Sequence, residues 1–237
     1  MPRLLCLPGL LCTPDVFAGV LEDADTDSVA LALPDSDSFD DIASSLVSSL
    51  PDRAVLVGMS MGGYLALEIA RRAPDRVAGL VLIGCTAAAD SEKAAAQRGK
   101  VVAWARREGI EELATSICNS LLGPASRDNA ELRASVARMA RSQGLDVFAR
   151  HQAALAGRPD NSASLPAITC PVLVMAGADD TVTPPQVGRD LADRLPRGRF
   201  VEIEGAGHLA VIERPAVVAA HLNAFMRHDM KTGAAAQ

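Results

Sequence analysis

Short runs of leucine, valine and isoleucine alternate along this chain with longer stretches in which apolar residues recur every three or four positions. That alternation predicts strand–helix–strand units and a parallel sheet layered with helices. Six strands are predicted, over residues 3–7, 28–33, 54–58, 77–83, 171–176 and 199–203. Their near-continuous apolar character, with no every-other-residue alternation, implies burial on both faces. Helices are predicted over 39–50, 61–73, 186–195 and 215–226, and Pro215 suits a first helical turn because its φ is already fixed there.

Between residues 85 and 164 the strand signal vanishes and the pattern becomes wholly helical. Ile110, Leu113, Ala114, Ile117 and Leu121 mark one apolar face, Leu132, Val136 and Met139 a second, and Leu145, Phe148 and Leu155 a third. Gly123-Pro124 and Gly144 punctuate this block, and Gly157-Arg158-Pro159-Asp160 begins the return to strand. A helical block inserted after a strand reads as a cap over 86–164, laid on a core formed by 1–85 and 165–230. The alanine-rich end, 231–237, reads as a disordered tail.

One apolar run stops abruptly. Val55-Leu56-Val57 leads into Gly58-Met59-Ser60-Met61-Gly62, and helical periodicity resumes at once through Tyr64 to Ala70. A G-x-S-x-G pentapeptide between strand and helix is the pattern of a nucleophile elbow. The turn forces the serine toward positive φ, and only small residues two positions before and two after it avoid a clash of the flanking backbones, room that Gly58 and Gly62 supply. Such a turn lifts the Ser60 hydroxyl above the sheet and points the following helix N-terminus, with the Met61 N–H, at a developing oxyanion.

A serine nucleophile needs a base, and the base needs an orienting acid. Of the four histidines, His151 falls in the helical block, His221 on the last predicted helix and His228 near the C-terminus. His208 alone follows a strand, in Gly205-Ala206-Gly207-His208, and is the candidate base. The preceding strand ends at Gly177-Ala178-Asp179-Asp180, so by position and chemistry either Asp179 or Asp180 can serve as the acid.

The 237 residues, 49% hydrophobic and 22% charged, fit one catalytic domain carrying an insertion. A net charge of −6 without a lysine or arginine cluster argues against nucleic acid and anionic membrane surfaces as partners. No leader or membrane span is read at the start, which places the chain in the cytoplasm. The cysteines Cys6, Cys12, Cys85, Cys118 and Cys170 have neither C-x-x-C spacing nor nearby histidines at ligand intervals, so they read as buried free thiols. No metal or cofactor is expected.

Four ordered motifs together resemble the α/β-hydrolase superfamily: Leu7-Pro8-Gly9-Leu10-Leu11 after the first strand, the Gly58–Gly62 elbow, Gly177 to Asp180 followed by Thr183-Pro184-Pro185, and the loop to His208. The resemblance implies that Asp180 is the acid and that the Leu10 N–H is the second oxyanion donor beside Met61. Pro8 stands where the family commonly has histidine. The chain begins at what would be the family's third strand, so the usual antiparallel N-terminal hairpin is not expected. More finely, the chain is similar to small bacterial carboxylesterases and 3-oxoadipate enol-lactonases. That likeness implies attack by Ser60 on a small ester or lactone by a monomer or homodimer. The alternatives are a thioesterase, C–C hydrolase, lyase or acyltransferase using the same residues, or a non-catalytic receptor of this fold. Branches with a carboxylate nucleophile are excluded by the serine at position 60.

Substrate preference is only outlined. With 3% aromatic residues, small or aliphatic acyl groups suit the chain better than stacked rings. Arg150 and Arg158 are candidates for pairing a substrate carboxylate, set against the plainer reading of solvated charges. Trp104 reads as core of the helical block ahead of a substrate platform, and Cys12 and Cys85, after strand ends on the catalytic side, as small buried apolar residues ahead of pocket lining.

Overall fold

In a computed structural model of the chain, residues 2–232 are described. Six strands form a single sheet in the order β2-β1-β3-β4-β5-β6: β1 Arg3–Leu7, β2 Ser28–Ala30, β3 Ala54–Met59, β4 Val77–Ile83, β5 Val172–Gly177 and β6 Gly198–Ile203. All neighbours pair in parallel. Successive residues of the four central strands feed opposite faces. Leu5, Leu7, Leu56, Leu80, Leu82, Val172 and Val174 pack on one side, with helices α2 (Phe39–Ser49), α3 (Met61–Arg72) and α7 (Pro185–Asp193). Leu4, Cys6, Val55, Val57, Val81, Ile83, Leu173 and Met175 pack on the other, against α1 (Ala18–Glu22), α8 (Ala210–Glu213) and α9 (Pro215–Thr232).

Two strands depart from the expected pattern for one reason. β2 is three residues long where six are expected, and β6 is only partly buried. Both lie at sheet edges, where one flank has no partner strand and burial is incomplete. The short α1 and α8 are not marked by the periodicity, because neither is long enough to show it.

The chain reverses its direction across the sheet at β1: β2 lies on one side of it and β3 on the other. In open parallel sheets that reversal opens a crevice at the carboxyl ends of the strands, the usual place for a ligand. The loop after β1 and the turn after β3 flank it.

Three helices intervene between β4 and β5: α4 Glu92–Glu108, α5 Ile110–Leu121 and α6 Ala130–Ala156. The predicted apolar faces fall on α5 and α6, and Gly144, at φ 75° and ψ 169°, breaks α6 where the sequence marks a punctuation point. The predicted tail begins at 231. α9 runs to Thr232, and residues 233–237 lie outside those described.

Candidate active site

Ser60 is one of two described non-glycine residues with positive φ, at 51°, with ψ at −114°. The strained turn is held from both sides. The Ser60 N–H donates to the Ile83 carbonyl at 2.8 Å, and the Ser60 carbonyl accepts from Gly63 and Tyr64 at 2.9 and 3.1 Å, which starts α3. A Cβ on Gly58 would meet the Gly62 carbonyl and lie 2.6 Å from the Gly63 Cα, and one on Gly62 would overlap the Leu7 carbonyl. Gly62→Ala is therefore expected to cost about 3 kcal/mol, seen as a fall in Tm of roughly 6–12 °C in thermal unfolding. An unchanged Tm would mean that the backbone yields at this crossing. Ser60 occupies the N-cap position of α3 but its hydroxyl makes no capping bond, so the oxygen is not committed to the helix.

The second residue with positive φ is Leu11, at 61°. It is the third residue of the turn Gly9–Cys12, closed by the Cys12 N–H on the Gly9 carbonyl at 3.1 Å. That position favours glycine, and a leucine there costs about 1–3 kcal/mol of backbone strain. Burial of its side chain against Ala105, Leu113 and Phe148 of the helical segment contributes an amount of the same order, about 1.5–3 kcal/mol. The turn thus holds Leu10 over the crevice, with Gly9 beside the elbow, where a Cβ would come 2.5 Å from the Met59 Cε and force that side chain to shift. The Leu10 N–H has no acceptor among the described residues.

The two aspartates left open by chemistry are separated by the turn after β5. Asp180 N–H closes it on the Gly177 carbonyl at 3.1 Å, which swings the Asp180 side chain into the protein and leaves Asp179 exposed. Asp180 Oδ1 accepts from the Val182 and Thr183 N–H groups at 2.8 and 2.9 Å, and Oδ2 lies 2.8 Å from His208 Nδ1. Because the carboxylate is the acceptor in all three bonds, Nδ1 is the donor to it, which in the neutral ring leaves the lone pair on Nε2.

His208 is itself pinned. Its N–H donates to the Leu121 carbonyl at the end of α5 at 2.7 Å. Buried Glu213, on α8, accepts from the Gly207 N–H at 2.9 Å and from the Gly123 N–H at 2.8 Å, so one carboxylate ties the histidine loop to the end of α5. The two backbones cross at Gly123 and Gly207 too closely for a side chain on either. No motif in the sequence points to Glu213. Its removal strands two buried N–H groups, and Glu213→Ala is expected to lower kcat by about tenfold or more with a smaller change in KM. Glu213→Gln, which keeps one acceptor, falls between. Equal kinetics in all three proteins would show that the loop needs no such brace.

Ser60, His208, Leu10, Met59, Tyr64 and Leu209 of the sheet-bearing core line a cavity of about 670 Å³. Helices α4, α5 and α6 supply the opposite wall. Trp104 lines this cavity as well as packing on the helical core. Cys12 and Cys85 do not reach it, and burial pushes both thiols up to about 12, with the Gly9 backbone bond opposing at Cys12 and the Arg158 charge at Cys85. All five cysteines are free, three of them buried and Cys12 and Cys170 partly so.

Neither arginine singled out by the sequence is in the cavity wall. Arg150 is half-exposed and bonded to Asp35 at 2.6 Å. Arg158 is buried behind the wall, paired with Asp90 and stacked 4.4 Å over the Tyr64 ring. Arg98 lines the cavity instead. Among the described residues no cluster of three or more His, Cys, Asp or Glu side chains is placed to hold a metal ion. No described helix is long and apolar enough to cross a membrane.

The chain belongs to the alpha/beta hydrolase family, whose sequence model matches residues 4–221. It is 32% identical over 184 residues to a pimeloyl-[acyl-carrier protein] methyl ester esterase of Aromatoleum aromaticum, a match covering 72% of this chain and 73% of that protein. It is 57% identical over 51 residues to the putative non-heme bromoperoxidase BpoC of Mycobacterium tuberculosis, a stretch that spans only 20% of that protein and 22% of this chain. Among solved structures, a thermophilic esterase from Thermogutta terrifontis with malate bound superposes with a TM-score of 0.89 at 28% identity, covering 96% of this chain and 90% of that one. An enol-lactonase from Burkholderia xenovorans LB400 shares the fold, with a TM-score of 0.85 at 21% identity over 96% and 92% of the two chains.

Proposed function

We propose that this chain is a serine hydrolase that cleaves a small carboxylic ester or lactone through Ser60, His208 and Asp180, without a cofactor. The observation that carries the reading is the 2.8 Å contact between His208 Nδ1 and Asp180, with His208 facing the same cavity as an uncapped serine hydroxyl on a strained elbow. The pimeloyl-[acyl-carrier protein] methyl ester esterase activity named for one relative and the esterase named for a structural neighbour support ester chemistry.

His208 Nε2 takes the proton as Ser60 Oγ bonds to the substrate carbonyl carbon. The carbonyl oxygen becomes an oxyanion, which accepts hydrogen bonds from the Leu10 and Met61 N–H groups. The second of these belongs to the first turn of α3, where helical amides have no internal acceptor. Each such donor is worth about 3 kcal/mol of transition-state stabilisation. His208 then returns the proton to the leaving alkoxide, and an acyl group remains on Ser60. Water, deprotonated in turn by His208, releases the acid and restores the serine. Residues 86–164 act in this reading as a cap on the cores 1–85 and 165–230, and supply the cavity wall that selects the acyl group. The five unpaired thiols suit a reducing compartment, so the proposal keeps the enzyme in the cytoplasm.

A panel of short-chain p-nitrophenyl esters and lactones tests the reading. Saturable release of acid is expected, with ester and lactone turnover abolished together by one active-site block. Folded protein that turns over no member would overturn it and favour a ligand-binding receptor.

A further inference from the structure

The cavity wall departs from the charge balance of the chain. Across the sequence 29 aspartates and glutamates outnumber 23 lysines and arginines. The cavity is lined by Arg98, Lys100 and His208, and by no carboxylate among the described residues. Arg98 and, behind it, Arg158 share the single carboxylate of Asp90; burial pushes that carboxyl up, but the two guanidiniums together hold it below its ordinary range. One positive charge in this largely buried group is unbalanced.

Arg98 is the member that faces the cavity. Its Nε and Nη2 donate to Asp90 and its Nη1 to the Gln152 side-chain oxygen, at 2.8 Å for the last. Of the five guanidinium N–H bonds, one on each terminal nitrogen is left without an acceptor. Gln97, Arg98, Val101 and Trp104 all line the cavity from α4, so polar and apolar groups succeed one another along one helix face. At 1.5 Å per residue, Arg98 and Trp104 stand about 9 Å apart along that axis. The apolar part of the wall suits a short aliphatic chain, and the guanidinium suits an anion at its end.

We propose that Arg98 forms a carboxylate-binding subsite, and that the preferred substrate is an ester or lactone whose acyl portion carries a free carboxylate. The proposal rests on the hydrolase reading for turnover but not for binding. Asp90 fixes the guanidinium plane, and Gln152 orients it further. A bound carboxylate supplies the negative charge that the wall lacks, in charge-assisted hydrogen bonds to a guanidinium that is itself only partly exposed.

The test uses p-nitrophenyl hydrogen succinate, glutarate and adipate, each beside the same compound with its free carboxylate masked as a methyl ester. Wild-type kcat/KM is expected to be at least about tenfold higher for the free acid than for its masked partner at the best chain length. Arg98→Met should bring that ratio close to one, Arg98→Lys should keep part of it, and Arg150→Ala should not move it. Asp90 retains Arg158 as a partner in R98M, so no buried carboxylate is orphaned, and thermal unfolding checks the fold. In Ser60→Ala, binding of the same pairs is read from the fluorescence of Trp104, the single tryptophan, which lines the cavity. There the free acid should bind about tenfold more tightly. Equal binding of free and masked compounds, or a ratio that R98M leaves intact, would overturn the subsite. Absence of turnover with the binding preference retained would instead overturn the hydrolase reading alone.

Discussion

Ser60→Ala is expected to lower kcat for any ester the protein turns over by on the order of 10⁴-fold or more, with little change in thermal unfolding. The two halves of that expectation have separate causes. In the proposed mechanism activity falls because the attacking oxygen is gone, and the proposed oxyanion donors alone would supply only the residual rate. Stability holds because the hydroxyl makes no capping bond to α3, and alanine meets the same backbone strain at φ 51° that serine already bears. Steady-state kinetics and a melting curve on the same preparation read both. His208→Ala should be as damaging to turnover but less neutral to folding, because it removes the partner of a buried carboxylate.

The second large effect separates the paired aspartates. Asp180→Asn is expected to reduce kcat by about 10⁴-fold, because an amide presented to His208 Nδ1 can reverse the tautomer and move the lone pair away from Ser60. It also weakens the acceptor for the Val182 and Thr183 N–H groups, so some loss of stability accompanies it. Asp179→Asn should change kcat by less than about twofold, since that side chain is exposed and only its backbone N–H, bonded to Ala206, holds the turn. Kinetics of the two variants side by side decide the matter. The reverse order would make Asp179 the acid.

These expectations show how unevenly the sequence discloses the molecule. The four central strands are legible because both faces are buried, and continuous apolar runs leave little else for them to be. The elbow is legible because only glycine at 58 and 62 permits that crossing. The choice between Asp179 and Asp180 is not legible from residue chemistry, since it depends on which way one turn rotates a side chain, and in the sequence only the family resemblance points to Asp180. Glu213 is equally hidden: its role arises from two backbone N–H groups, one of them ninety residues away in sequence. Helix α4 is the clearest gap. Ala105 is its one buried residue, so core periodicity is nearly absent from it. Yet α4 carries Arg98 and Trp104 into the cavity. A helix that faces a cavity is selected by what enters the cavity, and such a face mixes polar with apolar residues. Arg150 and Arg158 stand out in the sequence, while the arginine in the wall does not.

The account turns on whether Ser60 is an activated nucleophile in an accessible cavity. Intact-mass analysis after exposure to a small fluorophosphonate measures this directly: Ser60 Oγ would bond to phosphorus and displace fluoride. The account predicts a single adduct on the wild type, none on Ser60→Ala, and strongly slowed labelling of His208→Ala. A folded wild type that gains no adduct, or an S60A protein that gains the same one, would contradict it.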